Sequence, residues 1–322
     1  SVTGASTLAA DVTSTGTQSY DGTTTLSSGD RTLTASTVTL NSVTGGSNAL
    51  TVTGNLDLDG AVSGVTNMSV SGTSNIGADV TTTGTQSYTG TTTVSASSTL
   101  NGTEITAAAA VLNNNLNITN SSSSSFTGAI SGTGNLTKAG SGTLTLSGTN
   151  SYTGDTTISA GTLTVSGTLS NSTTVSVASG AIYDVDATDT IASVDGAGTV
   201  DIASSTTLTT GDTNDQELSG TVSGAGSLTK AGSGILTLSG TNSYSGNTNI
   251  SAGILLVTSQ LGEGTYAGNI SNSGVFGINS SSNQTLSGII SGSGTINKSG
   301  TGELTLTGAN TYNGTINVAG GT

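Results

Sequence analysis

The chain has 322 residues and a formal net charge of −14, with four Lys and Arg residues against 18 Asp and Glu, and it contains no His, Cys, Trp or Pro. Without His or Cys it can form neither a Ser-His-Asp triad nor a thiolate nucleophile, and it lacks the usual ligands of zinc. The acidic balance disfavours nucleic acid as a partner, and no segment has the run of about 18 apolar residues that a membrane-spanning helix needs.

The N-terminal part of the chain, residues 1–103, contains one sequence twice. Residues 10–26 read ADVTSTGTQSYDGTTTL, and residues 78–94 read ADVTTTGTQSYTGTTTV. Thr, Ser and Val dominate both copies while straight-chain helix formers are scarce, and this composition favours strands over helices. We therefore predict β-strands joined by short turns in this part.

Residues 104–126 separate the two types of repeat, and we interpret them as a junction. The run EITAAAAVLNNNL at 104–116 is compatible with a short helix or with a coil that turns small side chains inward. The sequence leaves both alternatives open.

The C-terminal part, residues 127–322, contains a longer repeat in three copies. The copies occupy residues 136–165, 228–257 and 296–322, and the first reads LTKAGSGTLTLSGTNSYTGDTTISAGTLTV. Within it, residues 143–146 and 162–165 alternate polar with apolar side chains, which is the period of a strand with one buried face. Self-similarity of this kind indicates stacked structural units.

Both types of repeat share a Tyr followed two residues later by Gly, and its spacing indicates the length of one unit. The shared tyrosines are Tyr20, Tyr88, Tyr152, Tyr244 and Tyr312. Division of the third gap between them by four, and of the other gaps by three, gives a unit of about 22 residues, a typical length for one turn of a β-solenoid. We predict an all-β fold in which residues 1–322 form a single continuous parallel β-solenoid of about 14 turns.

The ends of this solenoid are expected to present unpaired strand edges. Compared with residues 250–257, the last copy stops at residues 318–322, before its final strand. Unpaired edges pair with other strands, and an end-to-end contact that does not close on itself generates an open fibre. The chain is therefore interpreted either as a fragment of a longer rod or as a subunit that stacks head to tail with itself.

The motif GSGTLTLSGTNSYTGDTTISAGTL at residues 140–163, with copies that start at Gly232 and Gly300, resembles the passenger-associated repeat of bacterial autotransporters. The N-terminal repeat resembles coils of filamentous-haemagglutinin-type secreted proteins. These resemblances imply a parallel β-helix, right-handed, that is secreted or displayed on the surface of a Gram-negative-type bacterium. They also imply a role in adhesion, aggregation or biofilm matrix, and no active site.

The three lysines, Lys138, Lys230 and Lys298, occupy the same position in the three copies of the C-terminal repeat. At three or four turns apart they form isolated charges and not a ligand-binding stripe. We predict a structural role, either in pairing with a nearby carboxylate or with the ammonium group lying over the rim of the solenoid.

The five shared tyrosines are too far apart to form one continuous aromatic platform for sugar rings. The glycine that follows each of them, as at Gly154, Gly246 and Gly314, indicates a tight turn. We predict that the tyrosine ring covers this turn. Contact between the rings and cell-surface glycans is the alternative.

The densest acidic stretch contains Asp184, Asp186 and Asp189. Alternate residues of a strand share a face, so Asp184 and Asp186 are weak candidates for a Ca²⁺ site, but the stretch lacks the ligand spacing of an EF-hand. A solvated turn is the alternative. Asp57 and Asp59 could form the acid pair of a glycosidase, but Arg31 would be the only arginine available to bind an acidic polysaccharide.

The sequence thus predicts a non-catalytic extracellular structural or adhesive protein without a cofactor, whose partner is a second copy of itself bound head to tail. The main alternative is a fragment of a larger adhesin that binds glycans. A polysaccharide-degrading enzyme and an ice-binding solenoid are minor alternatives. The ice-binding alternative rests on Thr-x-Thr motifs such as residues 143–145, but other residue types interrupt them along the chain, and β-propensity explains the threonines.

Overall fold

The computed structural model describes residues 1–322. The chain is an all-β parallel β-solenoid of about 16 turns. It contains no α-helix, and the one 3-10 turn spans Gly262–Gly264. The chain divides into two compact units: Ser1–Thr156 with Gly161–Leu163 form unit 1, and Thr157–Ala160 with Thr164–Thr322 form unit 2.

Unit 1 contains the N-terminal repeats and the first strands of the C-terminal repeat. Its strands are Ser6–Leu8, Val12–Thr13, Thr17–Leu26, Arg31–Leu58, Val62–Val70, Ser74–Ile76, Val80–Thr82, Gln86–Val94, Ser98–Gly102, Ile105–Leu112, Leu116–Asn120, Ser124–Phe126, Ile130–Gly132, Leu136–Ala139 and Thr143–Leu146. The strands Thr156–Ile158 and Thr162–Val165 lie at the boundary of the units.

Unit 2 contains the remaining strands, most of which are very short. They are Thr174–Val177, Ile182–Val185, Asp189–Thr190, Ser193–Gly196, Thr199–Ile202, Thr207–Thr210, Gln216–Leu218, Thr221–Gly224, Ser227–Lys230, Ile235–Leu238, Thr241–Asn242, Thr248–Ile250, Ile254–Val257, Gln260–Leu261, Thr265–Tyr266, Ile270–Asn272, Val275–Asn279, Gln284–Leu286, Ile290–Ser291, Thr295–Ser299, Leu304–Leu306 and Thr315–Val318.

One turn of the solenoid is shorter than the repeat spacing suggested. Leu116 pairs with Ser98 of the preceding turn and with Leu136 of the following turn. In unit 2, Ile254 pairs in the same way with Val275. The differences between these paired residue numbers show that a turn takes about 20 residues. This shorter turn explains why the solenoid has about 16 turns where we expected about 14.

The shared tyrosines are not separated by whole turns. The vertical column of paired residues that contains Tyr20 passes through Leu40 and Leu58 to Ile76, and then to Val94. Tyr88 lies on the same strand as Val94 but belongs to a different column, because it pairs with Val70 of the preceding turn. The spacing of the tyrosines is thus a correct sign of repetition, but its division by whole numbers gives a turn that is too long.

The core is narrow and consists mainly of inward-facing Leu, Val and Ile. In the column from Leu40 to Val94 the inward side chains are completely buried, and a fully buried aliphatic side chain stabilises the fold by about 1.5–3 kcal/mol. The outward positions of the same strands carry Thr, Ser and Asn. Parallel pairing between turns satisfies the backbone, so a chain with 31% hydrophobic residues can be ordered.

The junction at residues 104–126 has the same structure as the turns on either side of it. Its strand Ile105–Leu112 pairs with Gln86–Val94 on one side and with Ser124–Phe126 on the other. Ile105, Ala107, Ala110 and Leu112 face inward and are buried. Of the two alternatives for this segment, the coil with small inward side chains is confirmed. The division of the sequence into two repeat types and the right hand of the coil stay predictions.

Gly132 ends a strand where two turns approach closely. Its φ is +108°, a conformation that side chains disfavour, and a Cβ atom at this position would overlap the carbonyl group of Leu112. Gly16, by contrast, has open space around its Cα atom and no positive φ.

We expect Gly132→Ala to lower the free energy of unfolding by about 3 kcal/mol, because it combines an overlap with backbone and a strained φ. Gly16→Ala is the matched control and should change it by less than about 0.5 kcal/mol. Urea unfolding followed by circular dichroism measures both. Equal effects of the two substitutions would contradict this account of how the turns approach.

Candidate functional site

All four cationic side chains of the protein lie inside the solenoid. Lys138, Lys230 and Lys298 are at most 2% exposed, and Arg31 is 9% exposed. We expected each lysine either to pair with a nearby carboxylate or to place its ammonium group over the rim, and the second of these expectations is corrected. Each of these side chains donates hydrogen bonds to backbone carbonyl groups at a corner of the solenoid.

The three lysines have the same local geometry. The Nζ atom of Lys138 donates to the carbonyl oxygens of Ala139 at 2.7 Å and Gly140 at 2.8 Å. Lys298 donates to Ser299 at 2.8 Å and Gly300 at 3.0 Å. Lys230 likewise donates to Ala231 and, at 3.0 Å, to Gly232. In each copy the head therefore folds back onto the two residues that follow it.

Burial of the cations leaves an exterior without positive side chains. Of the 18 Asp and Glu residues, Asp189 is the one that is buried. The surface is therefore anionic or uncharged throughout. Such a surface repels anionic polymers and anionic membranes.

Four of the shared tyrosines, Tyr20, Tyr88, Tyr152 and Tyr244, are also buried, with at most 5% of their surface exposed. In unit 1, the hydroxyl of Tyr20 donates to Oε1 of Gln18 at 3.1 Å, and that of Tyr88 donates to Oε1 of Gln86 at 3.0 Å. The Nε2 atom of Gln86 then donates to the carbonyl of Val80 in the same turn and to that of Asn101 in the following turn. These rings are core residues and offer no face to a glycan.

The tyrosines of the C-terminal repeat use a threonine in place of the glutamine. The hydroxyls of Tyr152 and Thr156 are 2.5 Å apart, and those of Tyr244 and Thr248 are 2.7 Å apart. Tyr312 is half-buried, and its hydroxyl donates to the carbonyl of Gly294 at 2.6 Å.

The glycines that follow these tyrosines sit directly against the preceding turn. A Cβ atom at Gly154, Gly246 or Gly314 would overlap the carbonyl oxygen of a glycine in that turn. That the tyrosine ring covers this turn stays a prediction.

The acidic residues of the Ca²⁺ hypothesis are spread over separate environments. Asp184 accepts a hydrogen bond from the Thr164 hydroxyl at 2.9 Å, and Asp186 is exposed. Asp189 is buried and accepts from the backbone N–H of Leu169 and of Thr190. Burial raises the pKa of Asp184 and that of Asp189. No group of three or more acidic side chains lies close enough to hold a metal ion.

Asp57 and Asp59 lie in different surroundings. Asp57 accepts a hydrogen bond from Nδ2 of Asn75 in the next turn at 2.7 Å, while Asp59 is exposed at the following corner. A surface depression of about 320 Å³ is lined by Glu263 and by Ser and Thr hydroxyls beside Tyr244 and Tyr266. A single carboxylate does not provide the acid and base of a hydrolytic site.

Sequence reasoning missed a hydroxyl face on unit 1. Thr51, Ser69, Ser87, Thr106, Ser125 and Thr145 pair in register on six successive turns. Two residues after each of them, at the outer corner, come Thr53, Ser71, Thr89, Ala108, Thr127 and Ser147. We call these twelve positions the hydroxyl face. Its signal in the sequence is an apolar residue flanked by hydroxyl residues, repeated once in every turn.

A comparison with protein-family models finds a match in the C-terminal half of the chain. The family model of the passenger-associated-transport-repeat matches residues 136–165, 228–257 and 296–322. No curated protein matches the chain, and no solved structure matches it. The repeats and the solenoid together fit the passenger domain of an autotransporter.

The C-terminal half therefore carries three autotransporter passenger repeats, as the motif at residues 140–163 predicted. Passenger repeats imply a secreted or cell-surface protein, and no catalytic family is indicated. The structure has no helix with the length and apolar character to cross a membrane. The likeness of the N-terminal half to filamentous haemagglutinin stays a prediction.

We expect the stability of the protein to rise with pH between about 8 and 10. Burial lowers the pKa of Lys138 from 10.5 to about 8, so in this window the folded protein has released a proton that the unfolded chain still holds. Stability therefore increases with pH, by about 2 kcal/mol. The neutral amine keeps two N–H donors for its two carbonyls.

Above pH 10 we expect the stability of the protein to fall as the pH rises. Burial raises the pKa of Tyr88 and Tyr266 and raises that of Tyr244 to about 12, from 10.0 in each case. The unfolded chain then loses tyrosine protons that the folded chain keeps, and stability falls. Urea midpoints from pH 7 to 11 measure this profile. Burial lowers the pKa of Lys230 as well, so Lys138→Met should reduce the rise below pH 10 without abolishing it, and should leave the fall above pH 10. An unchanged rise would contradict the assignment to Lys138.

We expect Asp189→Asn to preserve or raise stability at pH 7, by up to about 1 kcal/mol, because it removes a buried charge and keeps an acceptor. Asn150 and Asn310 show that an amide suits such a position, since their Oδ1 atoms accept from the N–H of Ile130 and Ile290. Asp189→Ala should cost about 2 kcal/mol, because Leu169 loses its acceptor. Thermal melts with and without Ca²⁺ measure both effects. A rise in melting temperature with Ca²⁺ that Asp189→Asn abolishes would instead support a metal site.

Proposed function

We propose that this chain is a non-catalytic adhesive segment of a cell-surface passenger, whose copies associate with each other and hold cells or matrix together. The observation that carries this proposal is the hydroxyl face of unit 1. It contains no charged residue among its twelve positions, although the chain has a net charge of −14.

The hydroxyl face favours contact between copies for an electrostatic reason. A protein with a net charge of −14 repels its own copies over most of its surface. Two hydroxyl faces can meet without bringing carboxylates together, and hydroxyl groups act as both donors and acceptors, so the face is complementary to itself. The same chemistry suits the hydroxyl groups of a glycan, which is the alternative partner.

Stacking of copies end to end is a second mode of association within this proposal. Parallel strands of a solenoid pair from turn to turn, and a strand edge of one copy can pair in the same way with a strand of another copy.

The ice-binding alternative has weaker support. The hydroxyl face mixes Ser with Thr and contains Ala108 in its outer column. A serine lacks the methyl group that fixes the orientation of a threonine hydroxyl. The face therefore presents an uneven array of hydroxyl and methyl groups.

Electron microscopy of purified residues 1–322 at low and high concentration, with light scattering for mass, tests the proposal. We expect concentration-dependent association, as lateral bundles through the hydroxyl face or as fibres of copies stacked end to end. Ser87→Asp with Ser125→Asp should remove the bundles. Thr81→Asp, an exposed position on another strand, is the matched control and should leave the bundles unchanged.

Single particles at every concentration, together with no adhesion between cells that display the chain, would overturn the proposal. Saturable binding to a glycan that the Ser87 and Ser125 substitutions abolish would replace it with the glycan-binding alternative.

A further inference from the structure

The lysine of each C-terminal repeat lies at a corner where the backbone turns its carbonyl groups inward. Gly140, Gly232 and Gly300 follow the lysines by two residues and have φ values of +75°, +65° and +76°. This left-handed conformation reverses the chain and directs two successive carbonyl oxygens at the lysine Nζ atom. A buried carbonyl group without a donor is costly, so each corner needs a donor from inside the core.

A second glycine approaches each lysine from the following turn. Gly161, Gly253 and Gly321 have φ values of +68°, +62° and +68°. A Cβ atom on them would lie 2.9, 2.9 and 2.7 Å from the Nζ atoms of Lys138, Lys230 and Lys298. Lys298 also donates to the carbonyl of Gly320 in that following turn at 3.1 Å. The lysine head thus lies between two turns.

The lysine stem behaves as an ordinary core residue. Lys230 pairs in register with Ile250, and Lys298 lies between Ile278 and Val318 in its column. The stem therefore fills the same space as an isoleucine, while the head reaches a corner that an isoleucine cannot satisfy. At other corners an amide side chain is the donor. Nδ2 of Asn120, for example, donates to the carbonyls of Ser122 and Thr143.

We propose that the pairs Lys138 and Gly161, Lys230 and Gly253, and Lys298 and Gly321 are three copies of an internal clip, in which a carbonyl-lined site binds the lysine amino group and fastens consecutive turns. The separation in sequence between lysine and glycine is the same in all three pairs. Both members lie within each segment that matches the passenger-associated-transport-repeat. The repeat in the sequence therefore marks the recurrence of this clip.

The clip has a defined ligand class, a primary ammonium group on an unbranched alkyl chain, and this makes it testable by chemical rescue. We choose Lys298 because its clip bonds to Gly320 directly. In Lys298→Ala, amide hydrogen exchange of the backbone at residues 315–318 should become about 10- to 100-fold faster than in the unsubstituted protein. Addition of n-propylammonium should restore protection, whereas 1-propanol should not.

Two further variants separate the ammonium group from the volume of the stem. Lys298→Met fills the space without a donor, so it should exchange nearly as fast as Lys298→Ala. Ile278→Ala, the matched control one turn earlier, removes a similar volume and should not respond to n-propylammonium. Gly321→Ala should also lose protection, because its Cβ atom would overlap the carbonyl oxygen of Gly302 as well as the lysine head.

The proposal is overturned if Lys298→Met exchanges as slowly as the unsubstituted protein, or if 1-propanol rescues as well as n-propylammonium. If the lysine variants fail to fold, the unsubstituted protein carries the test. Acylation of the three lysines in the native state should then be at least 100-fold slower than acylation of the Ser1 amine, and equal rates would overturn the clip. Failure of the copies to associate would leave this result unaffected, since the clip lies within one chain.

Discussion

A backbone carbonyl that points into a dry core must find a hydrogen-bond donor, and the corners of this solenoid turn carbonyls inward turn after turn. The flat stretches between corners satisfy their own backbone by parallel pairing. Several corner carbonyls are instead satisfied by a polar side chain inside a core that is otherwise mainly apolar. Gln86, Asn120, Lys138 and Arg31 are chemically different solutions of this one problem.

The need for hydrogen-bond donors in the core also affects the charge of the surface. Because the cations are used inside, no lysine or arginine is left to balance the acidic residues on the surface. The exterior therefore carries carboxylates without balancing cations, and the hydroxyl face of unit 1 is a surface without carboxylates. A protein whose copies repel each other through their carboxylates is expected to make contact through such an uncharged face. The proposed adhesive role uses this consequence of the way the core is satisfied.

The sequence predicted the fold well where a local pattern carries the information. Alternation in residues such as 143–146 predicted strands with one buried face, and the three long copies predicted a solenoid and the passenger repeat, which were confirmed. The sequence was a poor guide to side chains whose environment depends on other turns. Lys138 was expected at the rim because charged groups are usually solvated, and it lies in the core because carbonyls from its own corner surround its head.

The tyrosine spacing shows the same limit. Repetition of Tyr20 at Tyr88 is real, but the two residues lie in different columns, because the residues between them do not make a whole number of turns. The length of a turn also varies along the chain. Arithmetic on sequence gaps could not recover this variation, since corners gain or lose residues without changing the strands between them.

By itself, therefore, the sequence determined the class of fold, the acidic character and the absence of His and Cys chemistry, since composition and period two alternation are local properties of the chain. Only the tertiary structure decided which residues share a face. The hydroxyl face brings together residues of successive turns, and each lysine clip joins a lysine to a glycine of the following turn. Both are contacts between turns, and a contact between turns exists only once the register of the parallel backbone ladder has been set.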